Sequence, residues 1–237
     1  MKDLTVSVKK LTGEDLMRAA CESTFIGKSR ASLLDLYKAE HSPARTQLFW
    51  VTLTNVKLFV STHLLRHHVG SIPFQLTCRD DRKGGNPGME KKCAQIKANI
   101  LGSVELMKSG NIDIAEEQLV TCMDELQWLS ENADRNTPVT LSLLINAQSL
   151  IDMAKLRLCK QAHIETQEAF NAIREGVAKV DPDLASMMVR KCVYRGGLCG
   201  EQRCCGFNRT EQFADELKTY VDNFTLAQRG IVDMSKK

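Results

Sequence analysis

The sequence predicts an α+β fold, because strand patterns and long helical patterns occur in the same chain. Leu4, Val6 and Val8 alternate with polar residues, which is the period of a strand with one apolar face. Residues 47–55 are rich in β-branched and aromatic side chains and form a second predicted strand. A chain of 237 residues can bury a substantial core, either as one domain or as two.

Apolar residues recur at helical spacing through most of the remaining chain. Thr12 is the predicted N-cap of the first helix, and the second helix must end before Pro43, since the residue ahead of a proline disfavours the α region. Residues 141–173 contain no glycine or proline and are predicted to form one long helix. Residues 80–92 are polar and glycine-rich, as in loops that cover active sites. The predicted helices are residues 12–20, 32–39, 57–67, 90–108, 113–130, 141–173 and 211–224.

The composition is that of an ordinary globular protein, with 43% hydrophobic and 26% charged residues. A net charge of +3 is too small for a broad basic field, so affinity for nucleotides or nucleic acids would come from local clusters. The first ten residues lack the apolar core of a signal peptide, and no stretch approaches the roughly 18 apolar residues of a membrane span. We therefore expect a cytoplasmic protein with no membrane partner.

The nine cysteines show no spacing typical of a disulfide framework and are predicted to be mainly reduced thiols. Four of them, Cys192, Cys199, Cys204 and Cys205, crowd into a glycine-containing segment. Structural zinc sites usually show paired CxxC spacings, which are absent from this segment. Unpaired or packing thiols are therefore preferred to a zinc knot, and no metal ligand is assigned.

Residues 62–82 concentrate basic, hydroxyl and imidazole side chains. His63, Arg66 and His67 have the spacing that places side chains on one helix face, where they would bind an anion. Gly70 and Pro73 end the helix, so the residues beyond lie on a loop or a short extended segment. That segment carries groups suited to phosphate, namely those of Ser71, Gln75, Thr77 and Arg79.

Two other interpretations of residues 62–82 stay open. Most charged clusters are solvated helix ends followed by polar turns. His63 and His67 also have the i, i+4 spacing of a zinc-protease helix. Leu64 stands where that mechanism requires a general-base glutamate, which disfavours zinc hydrolysis.

A second candidate feature lies within the predicted long helix. Asn146, Leu150, Met153 and Arg157 are spaced so that they would form one stripe along it. An arginine on such a stripe either snorkels from the end of an apolar face or belongs to a site.

Together these two features resemble the flavin-dependent thymidylate synthases. The signature of that family reads RHRxxSxNExSxR, and this chain reads RHHVGSIPFQLTCR from Arg66 onward, with one residue inserted near Phe74. The family segment NxRSLxxxxxLRxxxxAxxE matches the chain from Asn146 through Arg157 to Glu165 without a gap. The resemblance covers roughly residues 9–172.

A turn before the second strand adds to the resemblance. Ser42 and Pro43 match the family turn H-x-[ST]-P-F-E-H, whereas Ala44 and Arg45 replace its Phe and Glu. The order of helix, turn, strand, helix and signature loop is also similar to the family's.

The resemblance implies a single domain of that family, a mixed sheet flanked by long helices, over residues 1–180, followed by a Cys-rich segment and C-terminal helix over residues 181–237. It implies a methyltransferase of nucleotide biosynthesis that converts dUMP to dTMP, with methylenetetrahydrofolate as the carbon donor. The flavoprotein's FAD would take reducing equivalents from NADPH. Family sites form between subunits of a homotetramer, so an isolated monomer is expected to be inactive.

Residue roles follow from position in the family's motifs. The resemblance assigns catalytic roles to Arg157, Thr77 and Gln75. It assigns flavin contacts to Ser42, Arg66, His67, His68, Ser71 and Asn146. It assigns nucleotide contacts to His63, Arg66, Gln75, Thr77, Arg79, Arg135 and Arg157. Ser23 or Thr24 matches a further flavin-contacting serine, and Gln148 replaces a family arginine near the flavin.

Departures from the family cluster at the substrate. Gln75, His63 and His68 replace a family Glu, Gln and Arg, and an amide in place of a carboxylate donates as well as accepts. A second hypothesis is therefore an enzyme of the same fold that methylates or hydroxymethylates another pyrimidine nucleotide, such as dCMP. A third is a non-catalytic, zinc-stapled nucleic-acid-binding protein that uses residues 192–205 with Arg195 and Arg203.

Overall fold

The computed structural model describes residues 3–24, 27–29, 31–75, 87–132 and 137–228. The chain divides into two compact units. Unit 1 comprises Met1–Val56, Val60–Gln75 and Thr140–Lys237, and unit 2 comprises Lys57–Phe59 and Leu76–Val139. The sequence-based division at residue 180 stays a prediction. None of the helices in the described ranges is long and apolar enough to span a membrane.

Four strands form one sheet in the order β1-β2-β4-β3. They are β1 (Thr5–Lys10), β2 (Leu48–Lys57), β3 (Ser71–Gln75) and β4 (Pro138–Asn146). The β1–β2 and β3–β4 pairs are antiparallel. Between β2 and β4, Ala147 N donates to Gln47 O, and the hydroxyls of Thr52 and Ser142 lie 3.0 Å apart. Partner numbers therefore run in opposite directions here too, and the predicted mixed sheet is wrong because all pairs are antiparallel.

The helices confirm the predicted α+β class and most of the predicted helical segments. A 3₁₀ turn, Ser42–Thr46, precedes β2. The α-helices are α1 (Glu14–Glu22), α2 (Leu33–Lys38), α3 (Leu58–Leu65), α4 (Pro87–Lys108), α5 (Ile112–Asn132), α6 (Ala147–Arg157), α7 (Ile164–Val180), α8 (Pro182–Met187), α9 (Lys191–Tyr194) and α10 (Glu211–Gln228).

The predicted single helix over residues 141–173 is wrong. This segment contains most of β4, all of α6 and the start of α7, with a turn between the helices. Along β4, every second residue is buried, and the residues between them from Thr140 onward are half-buried. A run of apolar residues of this kind is compatible with a strand as well as with a helix. The fully buried positions are Val139, Leu141, Leu143 and Ile145.

In unit 1, α7 packs closely against β1. A Cβ atom placed on Gly176 would lie 2.6 Å from Val8 Cγ2, so only glycine permits this approach. The buried Asp181 at the end of α7 fixes the neighbouring segments. Its carboxylate accepts hydrogen bonds from Tyr37 Oη at 2.8 Å and Lys10 Nζ at 2.6 Å. These contacts join α2 and β1 to the helix that carries the acid.

Unit 2 is built on a pair of long helices, α4 and α5. Ile96, Cys122 and Leu129 are buried together between them. Ser103 Oγ donates to Gln118 Oε1 at 3.1 Å, and Lys92 Nζ lies 4.4 Å from the centroid of the Trp128 ring. The hairpin therefore combines an apolar core with polar links along its length.

Replacing Gly176 by alanine tests the contact between α7 and β1. We expect Gly176→Ala to lower the free energy of unfolding by about 1 kcal/mol, because overpacking against Val8 outweighs the higher helix propensity of alanine. Gly102→Ala in α4 is the matched control. Its Cβ would meet only Gln118 Nε2, at 3.9 Å, so a gain of up to about 1 kcal/mol is expected. Denaturant unfolding measures both, and equal effects would contradict the contact.

Candidate functional site

The two sequence features meet at one end of the β3–β4 ladder. Ser71 pairs with Ile145 in the antiparallel register, and Asn146 N donates to Gly70 O at 3.0 Å. Ser149 Oγ donates to Val69 O at 2.7 Å. Residues 66–71 and 145–152, which are distant in sequence, are therefore fixed together by backbone and side-chain hydrogen bonds.

Gly70 is required for this contact. Its φ of +70° is left-handed, and a Cβ atom here would lie 2.2 Å from Asn146 Nδ2 and 2.4 Å from Ser149 Oγ. A side chain at this position would therefore be strained in its own backbone and would also separate the two segments.

Helix α3 ends earlier than predicted, at Leu65. His67 N donates to Leu64 O at 3.2 Å, which closes a tight final turn in place of another α-helical turn. The prediction that His63, Arg66 and His67 share one helix face is therefore wrong. Arg66 and His67 lie beyond the helix end, whereas the His63 ring contacts Thr166 Oγ1 of α7 at 3.0 Å.

Asn146 is the N-cap of α6 and not part of a helical stripe as predicted. Its side-chain oxygen accepts a hydrogen bond from Ser149 N at 2.9 Å, which satisfies one free backbone donor at the helix start. Leu150 and Met153 are buried on the inner face of α6. Arg157 is the last residue of the helix.

A cavity of about 390 Å³ opens where the two segments meet. Of the predicted site residues, Arg66, His67, His68 and Asn146 line it. The other lining residues are Arg45, Val69, Gly70, Gln148, Ser149 and Asp152. The arginines and imidazoles outnumber the single carboxylate, so the cavity suits an anionic ligand.

His67, which lines the cavity, is electrostatically coupled to Arg157, the last residue of α6. Burial, followed by the positive charge of the Arg157 guanidinium, lowers the pKa of the His67 imidazole to about 4. Burial and the nearby Arg66 lower the pKa of Arg157 in turn. His67 Nε2 and Arg157 Nε are both buried and have no hydrogen-bond partner among the described residues. Buried polar atoms of this kind usually have a partner, so an anion or a polar ligand would complete them.

An ion-pair network fixes Gln148 at the cavity wall. Glu40, whose φ is +49°, accepts hydrogen bonds from Gln148 Nε2 at 2.6 Å and Lys155 Nζ at 2.9 Å. Burial raises the pKa of the Glu40 carboxyl, but these hydrogen bonds outweigh it, and the pKa lies below its ordinary value. The Lys155 ammonium also lies 4.0 Å from the centroid of the Tyr194 ring. This network fixes the position of the Gln148 side chain.

Other predicted site residues lie elsewhere in the described chain. Gln75 Oε1 accepts a hydrogen bond from Ser61 Oγ at 3.2 Å, and Ser71 is buried at the start of β3. Neither of them, nor His63, is among the described residues that line the 390 Å³ cavity. Thr77, Arg79 and Arg135 lie outside the described residues, as does most of the predicted loop 80–92.

Ser42 lines a second cavity, of about 660 Å³. Thr24 and His41 also line it, whereas Ser23 is not a lining residue and donates its hydroxyl proton to Ala19 O at 2.8 Å. Of the two alternatives left open by the sequence, Thr24 is the one that shares a cavity with Ser42.

The sequence analysis missed three polar residues of the first cavity. Ser149 and Asp152 follow the N-cap Asn146 at steps of three, a spacing that could have indicated a common face. Arg45 was noted only as a departure from the family turn, and no local pattern indicates that the turn reaches this cavity.

Comparisons with known proteins leave the family open. No protein-family model matches the chain, and no curated protein matches it significantly.

The neutral state of His67 can be measured directly. By NMR titration of the histidine ring signals, we expect an apparent pKa near 4, and Arg157→Gln should raise it toward the ordinary 6.5 because one positive charge is removed. Arg174→Gln, at a half-buried position of α7, should leave it unchanged. Because the folded-state pKa is lowered, the contribution of His67 to stability is complete above pH 6.5 and is lost toward pH 4. A wild-type value near 6.5 would contradict the coupling.

Gly70 and Gly110 form a matched pair for the close contact. Both have positive φ, +70° and +85°, but a Cβ on Gly110 meets nothing within 4 Å. In both alanine variants, the left-handed backbone should lower the free energy of unfolding by about 1 kcal/mol. Gly70→Ala should lose about 1–3 kcal/mol more in denaturant unfolding, because its Cβ overlaps Asn146 and Ser149. Equal losses would show that the two segments are not in tight contact.

Proposed function

We propose that this chain is a flavin-dependent thymidylate synthase that reductively methylates dUMP to dTMP, with methylenetetrahydrofolate as the carbon donor. The observation that carries the proposal is the convergence of residues 66–71 and 145–152 around one cationic cavity. These are the two segments that resemble the family, and nothing in their sequence requires them to meet.

The residues of the cavity fit an anionic flavin nucleotide. Arg66 and Arg45 supply guanidinium donors, and the unpartnered ring nitrogen of His67 supplies a further polar contact. Arg157 does not line the cavity, but it acts electrostatically on His67. On this proposal Arg66, His67, His68 and Asn146 hold FAD, with Ser42 and Ser71 in supporting positions. FAD would supply reducing equivalents taken from NADPH.

A bound phosphate would relieve the repulsion between Arg66 and Arg157. Burial and the positive charge of Arg66 lower the pKa of Arg157, and the buried Arg157 Nε has no hydrogen-bond partner among the described residues. An anion between the two guanidiniums would gain charge-assisted hydrogen bonds. The neutral His67 imidazole adds no third charge at neutral pH and keeps one ring nitrogen as an acceptor. The protein thus positions and neutralises the reactants.

The nucleotide would be bound by the remaining predicted residues. We assign catalysis to Arg157, Thr77 and Gln75. We assign nucleotide binding to these three residues together with His63, Arg79 and Arg135. In this chain the Oε1 acceptor of Gln75 is taken by Ser61, which leaves its amide hydrogens for a further contact. As in the family it resembles, we expect a homotetramer with sites shared between subunits.

Turnover is tested with the full-length protein, FAD, NADPH, methylenetetrahydrofolate and either dUMP or dCMP. We expect dTMP from dUMP. A methylated or hydroxymethylated product from dCMP alone would reject dUMP in favour of the second hypothesis, which the amide at Gln75 motivates. No product from either nucleotide, in protein that retains FAD, would contradict the reaction.

Charge removal at the cavity tests the assignment of the arginines. Arg157→Gln should lower kcat/KM for dUMP at least tenfold, because a charge-assisted hydrogen bond contributes about 1.5–3 kcal/mol. Arg174→Gln is the matched control, since this half-buried arginine of α7 is not one of the predicted site residues. A twofold or smaller effect of Arg157→Gln would remove Arg157 from the proposed site.

A further inference from the structure

Five of the nine cysteines surround one small cavity that shares no lining residue with the 390 Å³ cavity. Cys159 lies in the turn after α6, Cys192 lies on α9, and the other three lie in the segment before α10. The five lining thiols are those of Cys159, Cys192, Cys199, Cys204 and Cys205. Cys159 joins the four clustered cysteines only in the folded chain, which explains why the spacing of those four alone showed no complete ligand set.

The size and lining of this cavity suit a single soft ion. The volume of the cavity is about 20 Å³, close to that of one water-sized sphere. Its walls include Leu198 and Phe207. A pocket lined by five thiols, three of them exposed, favours a thiophilic cation over Ca²⁺ or Mg²⁺, which prefer oxygen ligands.

Two glycine turns shape the segment that carries these thiols. Gly197, with φ of +103°, donates its N–H to Cys192 O at 2.7 Å. Gly206, with φ of +79°, donates its N–H to Cys204 Sγ at 3.4 Å. Asn208 Nδ2 donates to Gly197 O at 2.8 Å and ties the two turns together. An N–H directed at sulfur stabilises the thiolate over the thiol.

Positive side chains surround the pocket. Lys160 and Lys191 line it together with one acid, Glu201, whose carboxylate lies 3.8 Å from Lys191 Nζ. The guanidinium of the buried Arg190 lies 4.5 Å from the centroid of the Phe207 ring. Arg190 also donates to Leu158 O and to Glu216, so it is held in place beside the residue that precedes Cys159. These charges would offset the negative charge of a metal–thiolate group.

We propose that Cys159, Cys192, Cys199 and Cys204 bind one Zn²⁺ per chain, with Cys205 lying beside the site. No three His, Cys, Asp or Glu side chains within the described ranges already stand in ligand geometry. Binding therefore includes rotation of the thiols into the cavity. Four Cys–SH groups lose four protons as four S–Zn bonds form, and the site acquires a net charge of −2. The site joins the turn after α6 to the segment before α10 and does not depend on the proposed reaction.

The test is metal analysis of the full-length protein purified without added metal, followed by chelation and titration with Co²⁺. We expect one zinc per chain and, for Co²⁺, the intense near-ultraviolet charge-transfer absorption of thiolate ligands. Cys159→Ser and Cys199→Ser should each reduce retained zinc at least tenfold. Cys93→Ser, at an exposed cysteine of α4, and Cys205→Ser should retain it. Circular dichroism identifies any variant that does not fold. If a variant does not fold, the proposal is judged by whether the folded wild-type protein shows the thiolate-to-Co²⁺ absorption.

Several results would overturn the site. A folded wild-type protein that binds neither Zn²⁺ nor Co²⁺ contradicts it. Iron with acid-labile sulfide would contradict the choice of a single ion. A disulfide among these cysteines, detected by mass spectrometry of the protein as purified, would contradict zinc ligation. Full zinc retention by Cys159→Ser would show that Cys159 is not a ligand. Flavin binding is measured separately, so failure of either proposal leaves the other testable.

Discussion

The close approach of Gly70 to the start of α6 is the constraint on which the candidate site depends. Two hydrogen bonds, from Asn146 N to Gly70 O and from Ser149 Oγ to Val69 O, hold the segments together. The left-handed glycine lets the chain turn from α3 into β3 while its backbone touches Asn146. Because β3 and β4 are neighbours in the sheet, this contact places the end of α3 beside the N-terminus of α6.

Unsatisfied polar groups lie in the cavity beside that contact, at His67, and close to it, at Arg157. Arg66 and Arg157 repel each other, His67 is kept neutral by burial and by Arg157, and two buried nitrogens lack partners among the described residues. Elsewhere in unit 1, the buried Asp181 is paired with Lys10 and Tyr37. Paired charges stabilise the framework, whereas unpaired ones in a cavity indicate a ligand.

The sequence predicted much of the framework but less of the site. Strands and helices such as β1, α2, α4 and α5 could be predicted from the spacing of their apolar residues, because each has one apolar face. The strand β4 could not be predicted in this way. Its second face is half-buried and apolar residues occur on both faces, so its sequence is compatible with a helix as well. Asn146 was identified as important but placed on a helix stripe, whereas it caps the helix. Arg45 and Cys159 could not be assigned, because only tertiary contacts bring them to their cavities.

The most direct test of the proposed function is the visible absorption spectrum of the purified protein, loaded with FAD, desalted and then titrated with dUMP. The proposed function predicts that flavin absorbance is retained after desalting and that dUMP perturbs it, because the nucleotide is placed against the flavin. A folded protein that retains no flavin would contradict the proposed function, and the cationic cavity between α3 and α6 would then need a different anionic ligand.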